Sequence, residues 1–242
     1  MFDKEAVIGL LERIGKALPS KIKAYMIGGA ALSLRNLKAA TKDVDFVVPA
    51  RKDILLLKGA LEKMGYEVDK GLFEEQFYKD AVFVFLDKSG SRIDILTDLV
   101  CGMLRLSPAM QKRAERFGIF GNFEMFLVAN EDILLFKALT DRPGDLPDIR
   151  ALMEAQIIDW EGVIAECVSQ HKKETRWIFW FYEQLCRLED AESIPVPAKG
   201  RVFEVCVDNW DKKPSDWMQE FSPEQLKRHV PARYLSQIGK KQ

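Results

Sequence analysis

Residues 23–48 read KAYMIGGAALSLRNLKAATKDVDFVV, and the order of the parts in this stretch organises the rest of the chain. A short apolar strand, Ala24 to Ile27, breaks at Gly28-Gly29 into a helix, and a second strand starts at Asp43. Alternate residues of a strand share a face, so Asp43 and Asp45 point one way while Val44 and Phe46 point the other. Two carboxylates side by side repel, and a shared divalent cation relieves the repulsion. A glycine turn at a helix start offers unpaired backbone N–H groups to an anion, phosphate being the usual guest. The stretch therefore joins a phosphate cradle to a carboxylate pair suited to a metal.

The chain of 242 residues is long enough to bury a sizeable core in one domain or two small ones. Its 48% hydrophobic and 30% charged content is that of an ordinary soluble globular protein. With 36 basic and 37 acidic residues the net charge is −1, so a nucleic-acid partner would have to be held by a local basic patch. Cys101, Cys167, Cys186 and Cys206 form no Cys-x-x-Cys pair, which points to reduced thiols and a cytoplasmic setting. Met1 leads straight into a charged amphipathic helix, so no signal peptide is expected, and no apolar run is long enough to cross a bilayer. His171 and His229 are the only histidines, too few for zinc or histidine-pair chemistry. Neither a Gly-x-x-x-x-Gly-Lys-Ser/Thr loop nor a Gly-x-Gly-x-x-Gly turn after a strand occurs, which sets aside P-loop kinases and ATPases.

Val7, Leu10, Leu11, Ile14 and Leu18 fall at helical spacing, predicting a helix from about Asp3, its N-cap, to Leu18. A second amphipathic pattern covers Lys52 to Met64, with Gly65 as its stop signal, and a short strand is expected near Tyr66 to Val68. Ala81 to Leu86 and Arg92 to Leu96 read as strands joined by a turn at Lys88-Ser89-Gly90. In the second of these, Asp94 sits between two isoleucines, an awkward place for a charge. Ser107-Pro108 starts a helix that leads into the basic residues Lys112, Arg113 and Arg116, and Phe123 to Val128 is a further strand. From Asn130, read as a helix cap, the chain turns helical, through Asp145 to Leu152, Trp160 to Gln170 and the aromatic-rich Lys173 to Leu188. An extended link at Ile194-Pro195-Val196-Pro197 then leads to a poorly patterned, basic end. The expected architecture is an α/β domain over residues 1–129, a mixed sheet flanked by helices, followed by a mainly helical region over 130–242.

Gly28-Gly29 after a strand, residues 30 to 42 between, Asp43-Val44-Asp45 on the next strand and Asp94 on a later one form an ordered set. It resembles the nucleotidyltransferase superfamily related to DNA polymerase beta, including minimal nucleotidyltransferases and abortive-infection-type toxins. That resemblance implies a nucleotidyltransferase-like fold and transfer of a nucleoside monophosphate from a nucleoside triphosphate, ATP among them, to a hydroxyl, with release of pyrophosphate. It further implies that Asp43, Asp45 and Asp94 are the catalytic and metal-binding carboxylates for Mg²⁺ or Mn²⁺, with Asp94 also the base. Phosphoryl chemistry of this kind is driven by positioning and charge neutralisation. By the same resemblance Gly28, Gly29, Arg35, Thr41 and Lys42 are nucleotide-binding residues. Lys137 and Arg142, in a stretch that continues to Asp145 and Asp148, join them from the helical region. RNA such as tRNA, a protein or a small molecule would serve as acceptor, and a cognate antitoxin-like protein would be a partner. The resemblance covers roughly residues 20 to 150. It departs at Gly-Gly in place of the commoner Gly-Ser, which removes a side-chain phosphate donor, and at Arg35-Asn36 in place of Arg-Gly.

Each feature also has a structural reading. Gly28-Gly29 suits any tight strand-to-helix connection. Asp43 and Asp45 suit a cap and a surface position, and an ion pair with Arg92 or Arg35 would satisfy Asp94. Lys137 could snorkel to solvent, and Arg142 and Asp145 could cap helices. Lys112, Arg113 and Arg116 suit a solvated face, Trp177 to Tyr182 a core, and both histidines the surface. On those readings the fold serves as a non-catalytic binding or regulatory module.

Overall fold

The computed structural model describes residues 1–69, 81–100, 104–138, 140, 142, 144–156, 158–171, 177–209 and 221–238, with Ala81 and Val82 described in backbone only. Cys101 and residues 173–176 of the expected aromatic-rich helix lie outside them. Strand β1 (Ile22–Ile27) and strand β2 (Asp43–Val47) lie antiparallel at the centre of a mixed sheet, with Ile27 opposite Asp45. Beyond β2, β5 (Arg92–Leu96) runs parallel to it, then β4 (Ala81–Leu86) and the two-residue β3 (Glu67–Val68) follow antiparallel. Beyond β1, β9 (Phe123–Leu127) runs parallel and β8 (Glu115–Phe120) closes the edge antiparallel, giving the order β3-β4-β5-β2-β1-β9-β8. A separate two-stranded ladder joins β6 (Leu99–Val100) to β7 (Leu104–Arg105). The nearly unbroken burial of β1 follows from its central place, with neighbours on both sides and covered faces.

Helix α1 (Lys4–Ala17) starts where its apolar spacing placed it, and the Asp3 carboxylate accepts from the Ala6 N–H as N-cap. Its buried Val7, Leu10, Leu11 and Ile14 join the core, and it packs against α2 (Gly28–Leu34), α3 (Arg51–Lys63) and β8. At Gly15 the helix meets the β8–β9 hairpin so closely that a Cβ there would stand 1.6 Å from the Phe120 carbonyl oxygen. The contact is locked by the Asn122 N–H donating to the Gly15 carbonyl at 3.2 Å.

The basic segment after Ser107-Pro108 is a correction. Helix α4 (Pro108–Arg113), capped by Ser107, stops after two turns, and the chain turns back as β8. The turn at Gly121 (φ +59°) and Asn122 joins β8 to β9. Lys112, Arg113 and Arg116 are exposed, as a solvated face requires, but Arg113 is also tied down: its Nε donates to Asp132 at 2.7 Å and its Nη2 to Glu166 at 2.6 Å. Burial of Asp132 is the largest influence and keeps its pKa above the ordinary carboxylate value, and the forked contact from Arg113 offsets only part of that cost.

From residue 130 onward the described elements are helices: α5 (Asn130–Ala138), α6 (Asp145–Ala155), α7 (Trp160–Gln170), α8 (Trp177–Glu192), α9 (Lys199–Asp208), α10 (Pro223–His229) and α11 (Ala232–Ile238). Asn130 is the first helical residue rather than the cap, and its side-chain amide reaches Gln156. The aromatic side chains Trp177, Phe179, Phe181 and Tyr182 are core. The C-terminal part, read as poorly patterned, holds three helices among its described residues, and Ser222 opens α10 with a capping box closed by Gln225. His229 is not at the surface. It is buried, with Nε2 donating to Asp190 at 3.1 Å and Nδ1 accepting from the Lys199 ammonium at 3.0 Å, and His171 packs half-buried against Phe179. The apolar core runs without a break from the sheet into the helices. Cys167, Cys186 and Cys206 are free thiols buried in the helical part. No helix among the described residues is long and apolar enough to cross a membrane.

Gly15→Ala is expected to cost about 3 kcal/mol by forcing α1 off the hairpin. Gly9→Ala, on the same helix with nothing within 4 Å of the new methyl, should instead gain about 0.5–1 kcal/mol. Thermal unfolding of the two variants beside the wild type checks both signs.

Candidate active site

The chain leaves β1 through Gly28, whose φ of +65° lies in the left-handed region that residues with a side chain rarely adopt. A Cβ on Gly28 would stand 2.6 Å from Asp45 Oδ2, so the carboxylate occupies the space that a side chain would need. Gly29 is tight for the same reason, with Thr41 Oγ1 2.5 Å from its own Cβ position. Thr41 is buried, fixed by two backbone hydrogen bonds to Phe2, and donates through Oγ1 to Asp43 at 3.3 Å. The glycine turn and the Asp pair are thus in contact, although they lie well apart in sequence.

Parallel pairing of β2 with β5 puts Asp43 beside Arg92 and Asp45 beside Asp94 in register. Asp45 carries a pKa well above the ordinary carboxylate range, because burial disfavours its charge and Asp43 and Asp94 repel it, with Arg142 and Arg92 opposing. Asp94 is buried and also raised, first by burial; Arg92 pulls against that with a fork in which Nε donates at 2.7 Å and Nη2 contacts the second oxygen. The ion pair with Arg92 foreseen as one way to satisfy Asp94 is therefore formed. Arg142 is exposed, and its charge acts on both Asp45 and Asp94.

From the helical part, Lys137 reaches the same region. Its ammonium is buried, 2.9 Å from Asp145 and 2.7 Å from Asp148 on α6, with Thr140 donating to the second oxygen of Asp145. Burial works against the Lys137 charge, and the two carboxylates outweigh it, holding its pKa above the ordinary lysine value. It does not snorkel. Asp145 and Asp148 lie in the first turn of α6, where the helix dipole also favours negative charge. Lys38, from the segment between α2 and β2, donates to both oxygens of Asp148 and so ties that segment to the helices.

The structure brings Gly28, Gly29, Thr41, Asp43, Asp45 and Asp94 together, with Arg142 in charge range. Lys42 is exposed beside them. Arg35 goes elsewhere: it ends α2 with its guanidinium 3.9 Å from Glu115, and burial lowers its pKa against the pull of Glu115 and Glu131. Lys38 was not singled out in the sequence, and only its place as a cation between the turn and the Asp pair signals it. Carboxylate oxygens are the donors that Mg²⁺ and Mn²⁺ prefer, and the repulsion concentrated on Asp45 is what a dication neutralises. As placed, no three acidic, histidine or cysteine side chains among the described residues close into a metal cage. Asp43 and Asp45 fit a divalent cation, and Asp94 fits one only once Arg92 gives it up.

A mixed sheet with a glycine turn packed on paired carboxylates, and helices following, defines the nucleotidyltransferase class of fold. The chain belongs to the family described as nucleotidyltransferase of unknown function (DUF6036), whose model matches residues 7–180. No curated protein matches it. Among solved structures it is similar to the lincosamide antibiotic adenylyltransferase LnuA in its lincomycin-bound crystal structure, at 14% identity and a TM-score of 0.41. That match covers 62% of this chain and 94% of the other, a likeness too distant to carry activity or acceptor across.

Lys137→Ala should cost about 3 kcal/mol or more in denaturant unfolding, because it strands the buried Asp145 carboxylate. Gly28→Ala should cost only about 1–2 kcal/mol yet turn Asp45 out of place, read as loss of metal-dependent nucleotide binding in calorimetric titration.

Proposed function

We propose that the protein transfers a nucleoside monophosphate from a nucleoside triphosphate to a hydroxyl on an RNA, a protein or a small molecule, releasing pyrophosphate in a reaction that depends on Mg²⁺ or Mn²⁺. The observation that carries this reading is the register of β2 with β5, which sets Asp45 beside Asp94 next to a glycine turn with no room for side chains. A bound dication would supply charge neutralisation on the phosphates and a lowered pKa for the attacking hydroxyl. Asp43 and Asp45 would hold it from one face of β2, with Thr41 orienting Asp43. The bare backbone of Gly28 and Gly29 lets the triphosphate approach closely, and Arg142 adds a positive charge facing the developing negative one. Asp94, freed from Arg92, accepts the proton of the acceptor hydroxyl.

A second reading, a non-catalytic nucleotide-binding module, draws on the Arg92 fork, which keeps Asp94 occupied. The two separate in one experiment. On the first reading, Mg²⁺ or Mn²⁺ with one of the four nucleoside triphosphates at a hundred times its Kd stabilises the native state by about 2.7 kcal/mol, a rise of roughly 5–11 °C in melting temperature. The shift is expected to vanish in Asp43→Ala, and Asp94→Ala should keep the fold and lose turnover. No shift with any nucleotide in the folded wild type would sink the enzymatic reading. Binding without nucleotide turnover on any acceptor supplied would favour the module.

A further inference from the structure

Lys38 stands at the junction of the two halves of the site. Its Nζ lies 2.9 and 2.8 Å from the two oxygens of Asp148, 110 residues further along the chain. The same Nζ is 3.7 Å from the position a Cβ on Gly29 would take, so the ammonium overhangs the second glycine of the turn. We propose that Lys38 is a further nucleotide-binding residue, whose ammonium meets the phosphates of the triphosphate, and that Asp148 is the positioning residue that holds it ready. This rests on the nucleotide site proposed above and adds a residue that neither the glycine turn nor the carboxylate set includes.

The charge arrangement around Asp148 separates the two lysines. Asp148 is shared, with Lys38 on one side and Lys137 at 2.7 Å on the other. The Lys137 side chain is only 10% exposed and is bound to Asp145 as well, so moving it would leave the buried Asp145 carboxylate without its cation. The Lys38 side chain is 31% exposed and comes from a loop. When it leaves, Asp148 remains paired with Lys137, and no buried charge is stranded. An ammonium on a flexible four-carbon stem is a mobile point charge of the kind that follows a phosphate. A triphosphate carries more charge than a carboxylate already divided between two ammonium groups, so it wins the competition for Lys38. Nucleotide binding at the sheet is thereby sensed at the first turn of α6.

The test is isothermal titration of wild type, Lys38→Met and Lys38→Arg with each nucleoside triphosphate and with inorganic tripolyphosphate, all in Mg²⁺, beside melting temperatures without ligand. Lys38→Met, which keeps the apolar stem, should weaken the nucleotide that wild type binds by about tenfold or more. Tripolyphosphate should weaken alike, since the contact is to phosphate and not to base. Lys38→Arg should recover part of the affinity, and both variants should melt near the wild type. Equal affinity in wild type and Lys38→Met would overturn the assignment of Lys38 while leaving the nucleotide site standing. A loss of affinity matched by a large fall in melting temperature, unrescued by arginine, would make Lys38 structural and overturn it too. If wild type binds no nucleotide, the reading of the site itself fails, and the role of Lys38 falls with it.

Discussion

Everything at the mouth of the sheet depends on one steric exclusion. The carboxylate of Asp45 fills the volume that a side chain on residue 28 would need, and the backbone of Gly28 takes a left-handed conformation to turn past it. The turn fixes where β1 ends and α2 begins, and the carboxylate fixes the register of β2 against β1. Parallel pairing with β5 then delivers Asp94 to the same edge. A backbone choice at a single glycine therefore sets the spacing of the acidic groups.

The second organising feature is electrostatic. Two lysines and two aspartates form a chain, buried except at Lys38, from the α2–β2 segment through Asp148 and Lys137 to Asp145. Such chains are costly to desolvate, and removing one member costs more than the pair contributes. Here the chain joins the sheet to the helices, alongside the Arg113 contacts with Asp132 and Glu166. The helical region is thus bound to the sheet by charge as well as by the continuous core.

Much of this was legible in the sequence where the signal is local. The bounds of β4, β5 and α7 agree with the apolar patterns, and the Ser107-Pro108 start reads directly as a cap. The β8 strand was lost because Glu115 to Phe120 follows a basic helix and lacks clean alternation, although Gly121-Asn122 between apolar runs is a hairpin signal. The C-terminal helices were lost too, yet Ser222-Pro223 repeats the Ser-Pro start used at Ser107. Partners distant in sequence leave no local trace. His229 is buried by Asp190 and Lys199, and Lys38 is engaged by a carboxylate beyond residue 140. Of the carboxylate set, sequence order alone indicated which residues meet, and the Arg92 fork was foreseen as one alternative; the departure of Arg35 toward Glu115 had no sequence signal.

The shared carboxylate of Asp148 also constrains how this chain can diverge. Lys137 is the cation paired with Asp145, so replacing it leaves that buried carboxylate without its counterpart, whereas losing either aspartate leaves Lys137 paired with the other. Loss of the Lys137 charge therefore has to be accompanied by a neutral residue at position 145. Lys38, being the partly exposed member, is the position at which drift can begin. Among relatives, variation should therefore be independent at residue 38 and correlated at residues 137 and 145.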